Sequence, residues 1–450
     1  MVTLANRVSR WTLPAFALSL TNFLLAEALI LAGLTWPVRS VSAPGTLAAV
    51  HLLVIGWLLL MMLGALFQFV PVITARALTS QRLAVATMFA IEAGLAAMVG
   101  AFFAIGRHTA LALALPAGGT AVLLGVLLAI FNLGVPLFGA RPLALPGRMV
   151  LSGLAFLLVT VALGLSFALA LTVPSLAPDL AVLVYAVGDH ALAGLGGWFT
   201  LTAMGVSYKL LPMFMLAPEE RGVAGECVHV LGAGGFALAV GAGLARVWVA
   251  AEALRVAQDS GYVAIAIAVT IYLWDIVRIY HTRKRTRIEA HNRAAAGAFG
   301  LLGLAAALAV GFAATHRLGA GAPLIVLLVV FGWLGGLGLT QLYKIIPFLT
   351  WLTRYGSNLG RGAVPRVQDL ARERRSYPWF ALYFLGVLLG AACVFAGHAG
   401  GLRPSLALVT LATVGLLIEY WRAWRGHYAH GRRDASATLH SCRTRETDHG

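Results

Sequence analysis

Gly56–Pro71 reads GWLLLMMLGALFQFVP, and the pattern returns as GWFTLTAMGVSYKLLP at Gly197–Pro212 and as GWLGGLGLTQLYKIIP at Gly332–Pro347. These are the only three Gly-Trp pairs in the sequence. A Pro follows each Trp at the same offset: Trp57 to Pro71, Trp198 to Pro212, Trp333 to Pro347. The second and third copies also share Tyr-Lys, at Tyr208-Lys209 and Tyr343-Lys344. With 17 Pro in 450 residues, chance places a Pro at a given offset with probability of roughly 0.04, so three in three point to internal repetition.

Hydrophobic residues make up 60% of the chain and charged ones 11%, with a mean hydropathy of +0.87. That leaves too little polar side chain to cover a soluble globule, and the chain reads as a polytopic membrane protein. Twelve apolar runs are long enough to span: about 12–36, 45–73, 82–106, 109–138, 148–174, 183–214, 223–248, 257–280, 291–314, 321–352, 377–397 and 404–424. In lipid these must be helices, because the hydrocarbon offers no water to exposed backbone groups and the runs exceed barrel-strand length. The fold class is therefore all-α. The motif falls in the second, sixth and tenth runs, so 1–425 reads as one transmembrane domain of three pseudo-repeated four-helix arcs, about 1–140, 141–285 and 286–425. From 426 to 450 the sequence is polar and without apolar periodicity, and reads as a disordered cytoplasmic tail.

The net charge of +16 is distributed as a membrane protein distributes it, which argues against nucleic acid as the partner. With a cytoplasmic N-terminus only Arg39, Arg107, Arg246, Arg255, Arg317 and Arg403 lie outside, leaving 27 of the 33 Lys and Arg inside. This positive-inside asymmetry predicts both termini in the cytoplasm. The runs Arg283-Lys284-Arg285 and Arg372 to Arg375 read as topology anchors touching anionic lipid. Cys227, Cys393 and Cys442 show no metal-type spacing and imply no disulfide framework. The leader MVTLANRVSRW feeds a first helix too long for a signal-peptide core, which is expected to stay as an anchor.

Polar residues inside the runs are few. Glu27 and Glu92, at membrane depth with Asn22 nearby in sequence, are either carboxyls bonded to a neighbouring helix or part of a proton or polar path. Without a partner identifiable in the sequence, the first reading is preferred. Lys209 and Lys344 lie toward the inner headgroups and are expected to snorkel there. Asp275, three residues before Arg278, predicts an intrahelical ion pair. The connection 353–376 is the longest between helices and reads as a basic interfacial turn. The 50 glycines permit close helix approach, or room for a planar cofactor, and their number does not choose between the two.

Two histidines stand out. His51 and His190 precede a motif Trp by six and eight residues, on runs that cross from outside to inside, so both imidazoles sit at similar depth toward the outer face. Neutral imidazole is a common axial ligand of haem iron and a common copper ligand; the alternative is an interfacial His bonded to a carbonyl or to water. Glu226-Cys227-Val228-His229 looks metal-like but is short, and a helix-end His is the simpler reading. His281 and His291 flank the basic loop, His108, His316 and His398 fall in outer connections, and His427, His430, His440 and His449 lie in the tail.

Twelve helices in three arcs, His51 leading a Gly-Trp helix, and His190 with GGWFTLTAMGVSYKLLPMF resemble subunit I of the haem-copper oxidases (cytochrome c oxidase subunit I), including the cbb3-type and nitric oxide reductase branch. The resemblance implies haem binding at His51 and a metal-ligand role, for copper or iron, at His190. Helix ten, however, contains no histidine, helix seven lacks the family's paired His, and helix six has Gly194 where many oxidases carry a crosslinked tyrosine. A complete oxygen reductase is therefore not expected. The helix number and the His-led second helix are also similar to NnrS-type haem-copper membrane proteins of nitric oxide metabolism.

The expectation is a divergent subunit I-like protein of the bacterial inner membrane, holding one haem or metal and serving respiratory or nitrogen-oxide redox metabolism beside a cytochrome or other respiratory subunits. Whether it is an enzyme is left open, since most of the family's metal ligands are missing. Two alternatives remain: a transporter or channel using Glu27, Glu92 and the inner lysines, or an assembly partner of a respiratory complex with no cofactor. Haem, a copper or iron ion, and no cofactor all stay open at this point.

Overall fold

A computed structural model describes residues 11–105, 109–219, 222–359 and 364–426. The N-terminal leader, Arg107, His108, the centre of the 353–376 connection, Cys442 and the expected tail lie wholly or mainly outside those residues.

Twelve helices are long and apolar enough to cross a membrane: α1 Thr12–Leu31, α2 Pro44–Thr74, α3 Gln81–Ala104, α4 Ala114–Gly139, α5 Leu145–Thr172, α6 Ala177–Met215, α7 Val223–Arg246, α8 Glu252–Thr282, α9 Ala290–Ala314, α10 Leu318–Asn358, α11 Glu373–Phe395 and α12 Leu402–Arg425. The protein is a multi-pass, all-helical membrane protein. No strand occurs among the described residues.

The connectivity runs as a closed ring. Each Gly-Trp helix packs on the helix before it, α2 on α1, α6 on α5 and α10 on α9, while α3 with α4, α7 with α8 and α11 with α12 form hairpins. α4 meets α5, α8 meets α9, and α12 returns to α1. The middle of α10 touches the middles of both α2 and α6.

The Gly-Trp helices share a departure from regular α geometry. Leu52–Leu59, Leu192–Thr200 and Leu328–Gly335 are π-helical, each ending two residues past the Trp. The closing bond has the same register in all three: the N–H of Leu60, Leu201 and Gly336 reaches back five residues to the carbonyl of Ile55, Gly196 and Phe331, the residue just before Gly-Trp. π-turns are uncommon and concentrate at functional sites. The three tryptophans are fully buried, at 0% exposure. Trp57 stacks on Phe23 at 5.0 Å, and Trp333 lies 5.4 Å from Phe299 and 6.3 Å from Tyr272. None of the three indole N–H groups has a hydrogen-bond partner.

Lipid is as apolar as leucine, so helix association in a membrane rests on close packing rather than on expelling water. The hairpins supply that packing backbone to backbone. A Cβ on Gly94 would lie 2.6 Å from the Gly118 carbonyl oxygen, one on Gly261 2.6 Å from the Ala239 nitrogen, and one on Gly386 2.9 Å from the Ser405 carbonyl oxygen. Beside the tryptophans the space is equally filled, Gly56 by Asn22 and Gly197 by Phe156. Helix packing, not a planar slot, is what these glycines serve. Gly261→Ala, which forces main chain against main chain, is expected to cost about 1–3 kcal/mol. Gly300→Ala, where nothing stands within 4 Å, should leave the melting temperature in detergent unchanged or slightly raised; thermal melts of the two variants check this pair.

Candidate functional site

His51 is the last α-helical residue of the first part of α2, at the lip of the π-turn. Its Nδ1 lies 2.7 Å from the Leu47 carbonyl oxygen. Since a carbonyl only accepts, Nδ1 must carry the proton, and the lone pair is left on Nε2. A carbonyl bonded to one ring nitrogen in this way fixes the tautomer of metal-binding histidines. Phe102 of α3 holds the ring from one side, with centroids 4.9 Å apart.

His190 precedes the π-turn of α6 by two residues. Phe167 of α5 meets it edge-on at 5.4 Å. Gly164 leaves room for the ring: a Cβ there would stand 3.2 Å from its Cε1. Its Nδ1 is buried and has no hydrogen-bond partner. The two singled-out imidazoles belong to different helices, 139 positions apart, as their numbers 51 and 190 give, and both helices touch the middle of α10. Asp189 faces elsewhere: its Oδ1 accepts from Gln258 Nε2 at 3.3 Å, and the Gln258 carbonyl oxygen accepts in turn from Arg246.

The two membrane-depth acids do not join this neighbourhood through any bond. Glu92 Oε2 accepts from Asn22 Nδ2 at 2.9 Å, and the same amide leans toward the Gly56 carbonyl at 3.4 Å, so Asn22 ties α1 to both α2 and α3. Glu27 Oε1 accepts from Thr413 of α12 at 3.1 Å, and its Oε2 is buried without a partner. Neither acid forms an ion pair with a described residue. Bonding to a neighbouring helix, one of the two sequence readings, is the observed geometry, and the partners missing from the sequence are Asn22 and Thr413.

Elsewhere the structure sorts the remaining candidates. His229 Nε2 meets Ser152 Oγ at 3.0 Å and Glu226 pairs with Arg148, so the Glu-Cys-Val-His stretch fastens α7 to α5. Asp275 pairs with Arg278 at 3.1 Å as the spacing predicts. It also accepts from the Tyr208 hydroxyl at 2.9 Å, a contact between α8 and α6 that spacing along one helix does not reveal. Lys209 pairs with Glu219 and Lys344 with Glu289 at 2.5 Å beside the Phe214 ring, so each of the two expected inner-face anchors meets a loop carboxylate. Within the long connection Leu370 is fully buried, and the Trp351 indole donates to the Pro365 carbonyl at 2.6 Å.

Among the described residues no group of three or more His, Cys, Asp or Glu is placed to hold a metal ion. His51 and His190 therefore stand without a third ligand of those types among the described residues. The fold defines a multi-pass helical membrane protein in which these two imidazoles lie toward one end of their helices and Lys209 and Lys344 toward the other. No protein-family model matches the chain, and no curated protein matches it either.

Asn22→Ala should strip Glu92 of its donor and cost about 1–3 kcal/mol, read as a lowered melting temperature in detergent. Glu289 lies outside the spans. Burial pushes its carboxyl up, but the hydrogen bond and charge of Lys344, with His291 and Arg285, outweigh this and hold it below the usual range. A folded value below the unfolded one gives stability that is full above the ordinary Glu value of about 4.3. That contribution is lost as pH falls through the folded value. Glu289→Gln should accordingly flatten the acidic limb of a melting-temperature profile measured from pH 7 to pH 3.

Proposed function

We propose that the chain is a divergent relative of subunit I of the haem-copper oxidases. In this reading it consists of three copies of a four-helix unit and holds one redox-active metal, as an ion or within a haem, through His51 Nε2 with His190 as the second donor. What carries the reading is the pair of imidazole nitrogens: His51 Nε2, freed by the Leu47 carbonyl, and His190 Nδ1, buried and unbonded. They stand on two helices that both pack on α10. The common register of the three π-turns and the matching prolines support threefold repetition.

Two donors fit a single metal ion or the axial position of a haem. They do not fit the three-histidine copper centre that accompanies the second haem of an oxygen reductase, since no described group supplies a third ligand. Of the two fitting occupants the ion is favoured, because the glycines along the Gly-Trp helices are filled by side chains rather than facing a flat gap. A bound metal would supply one-electron chemistry. The chain's own part is to fix the His51 tautomer through Leu47 and to orient the two rings with Phe102 and Phe167. In this reading, with the basic loops taken as cytoplasmic, the region faces the periplasmic side of a bacterial inner membrane. Respiratory or nitrogen-oxide redox metabolism, beside a cytochrome or other respiratory subunit, is the setting in which such a centre operates. The transport reading asks for His51, Glu27 and Glu92 along one path, and these three bond to different neighbours.

The test is metal analysis and an absorption spectrum of protein purified in mild detergent from haem-replete, copper-supplemented cells. About one equivalent of metal is expected, lost at least tenfold in His51→Ala and weakened in His190→Ala, with melting temperature showing that both variants fold. A colourless, metal-free preparation overturns the proposal.

A further inference from the structure

α3 carries a carboxyl where a membrane helix ordinarily presents only hydrocarbon. Glu92 stands midway along the 24 residues of this helix. Its Oε2 accepts from Asn22 at 2.9 Å, its Oε1 bonds to no described residue, and the side chain is only half-buried. Glu27, the other acid at membrane depth, is by contrast enclosed at 1% exposure. The open side of Glu92 is the outer one. Ala96, one turn further along the same face, is exposed, and so are Phe89, Ala93 and Gly100. An acid at this depth is costly against lipid, and such groups turn inward or pair with one another. Lipid leaves Oε1 unsatisfied, so another polar group is needed to cover it.

Around the carboxyl the outer face of α3 is cut back nearly to its backbone. Nothing stands within 4 Å of a Cβ placed on Gly100, and Ala96 and Gly100 have the four-residue spacing of small residues that lets two membrane helices approach closely. The adjoining α4 instead presents Leu124, Leu127, Phe131 and Val135, which suit lipid chains. Small residues alone do not mark an interface: α9 exposes Ala296, Gly300, Ala307 and Gly311 with no acid among them. The half-exposed carboxyl sets α3 apart, and it also selects the occupant. A two-fold axis along the membrane normal brings identical residues of two parallel helices together at the same depth. A protonated carboxyl both donates and accepts, so two copies of Glu92 satisfy each other, whereas a foreign helix with a lysine or arginine has to carry a second charge to the middle of the membrane.

We propose that the chain forms a two-fold dimer through α3, with Glu92 meeting the same residue of a second copy and the backbones in close contact along Ala93, Ala96 and Gly100. This surface lies outside the α2, α6 and α10 interior and is independent of any metal at His51 and His190.

Light scattering of the full chain in mild detergent, together with oxidative cross-linking of an Ala96→Cys variant in membranes, tests it. A dimeric mass is expected, with a disulfide-linked homodimer that the parent protein does not give. Gly100→Leu and Glu92→Leu should each weaken self-association about tenfold, the size of one interhelical contact in a membrane. Glu92→Gln, whose amide also donates and accepts, should retain it. Gly100 has no neighbour inside the protomer, so its variant reads the interface without disturbing the fold. Gly300→Leu, an equally open position on α9, should leave the dimer intact. A monomeric mass for the folded parent protein overturns the proposal, as does a dimer that Gly300→Leu breaks and Gly100→Leu does not. An Ala96→Cys product joined to a different protein, with no homodimer, overturns it in favour of a foreign membrane helix on this face.

Discussion

The constraint on which the structure depends is that hydrocarbon satisfies no backbone hydrogen bond, so every departure from regular α-helix must be satisfied from within the protein. The chain makes that departure three times, at Leu52–Leu59, Leu192–Thr200 and Leu328–Gly335, and places each in the most enclosed part of the bundle. Side chains attend the loosened turns. Asn22 leans on the Gly56 carbonyl, the Tyr383 hydroxyl donates to the Phe331 carbonyl at 2.8 Å, and Thr200 donates to the Leu195 carbonyl at 2.8 Å. The first two donors come from the helices flanking α2 and α10, while Thr200 belongs to α6 itself.

Polar chemistry is accordingly segregated by depth. The two imidazoles sit toward one end of the Gly-Trp helices, aromatic packing fills the middle, and ion pairs around a cleft of about 720 Å³ occupy the other end. Tyr208 with Asp275 is the principal polar contact bridging the middle to the basic end on the side of α6 and α8.

Much of this was legible in the residues. Hydrophobic runs and the Arg and Lys distribution were enough for the helix number, and the sequence-derived bounds agree with the observed ones to within a few residues at most ends. The Gly-Trp-to-Pro spacing located the three helices that turn out to be interior. The π-turns were not legible, because an extra residue in a helical turn leaves the apolar composition unchanged and the all-round hydrophobicity of these helices gives no phase from which to read a slip. The bonds of Asn22 to Glu92, Thr413 to Glu27 and Tyr208 to Asp275 were hidden for a different reason: each joins residues at least 67 positions apart, and one sequence carries no sign of which polar residues face each other across helices. The partner of Lys344 was hidden likewise, because its carboxylate, Glu289, sits on a loop 55 positions away.

The widened turn has a geometric corollary. In a regular helix successive side chains rotate by about 100°, so one surplus residue inside α2 swings everything on the imidazole side by about that angle relative to everything on the proline side. His51 and Pro71 are therefore phased through Ile55–Leu60, and His190 and Pro212 through Gly196–Leu201. Each of these helices behaves as a two-part key whose halves are cut to different locks. Its compass bearing depends on how many residues the chain spends in a single loop of the spiral, not on which residues they are.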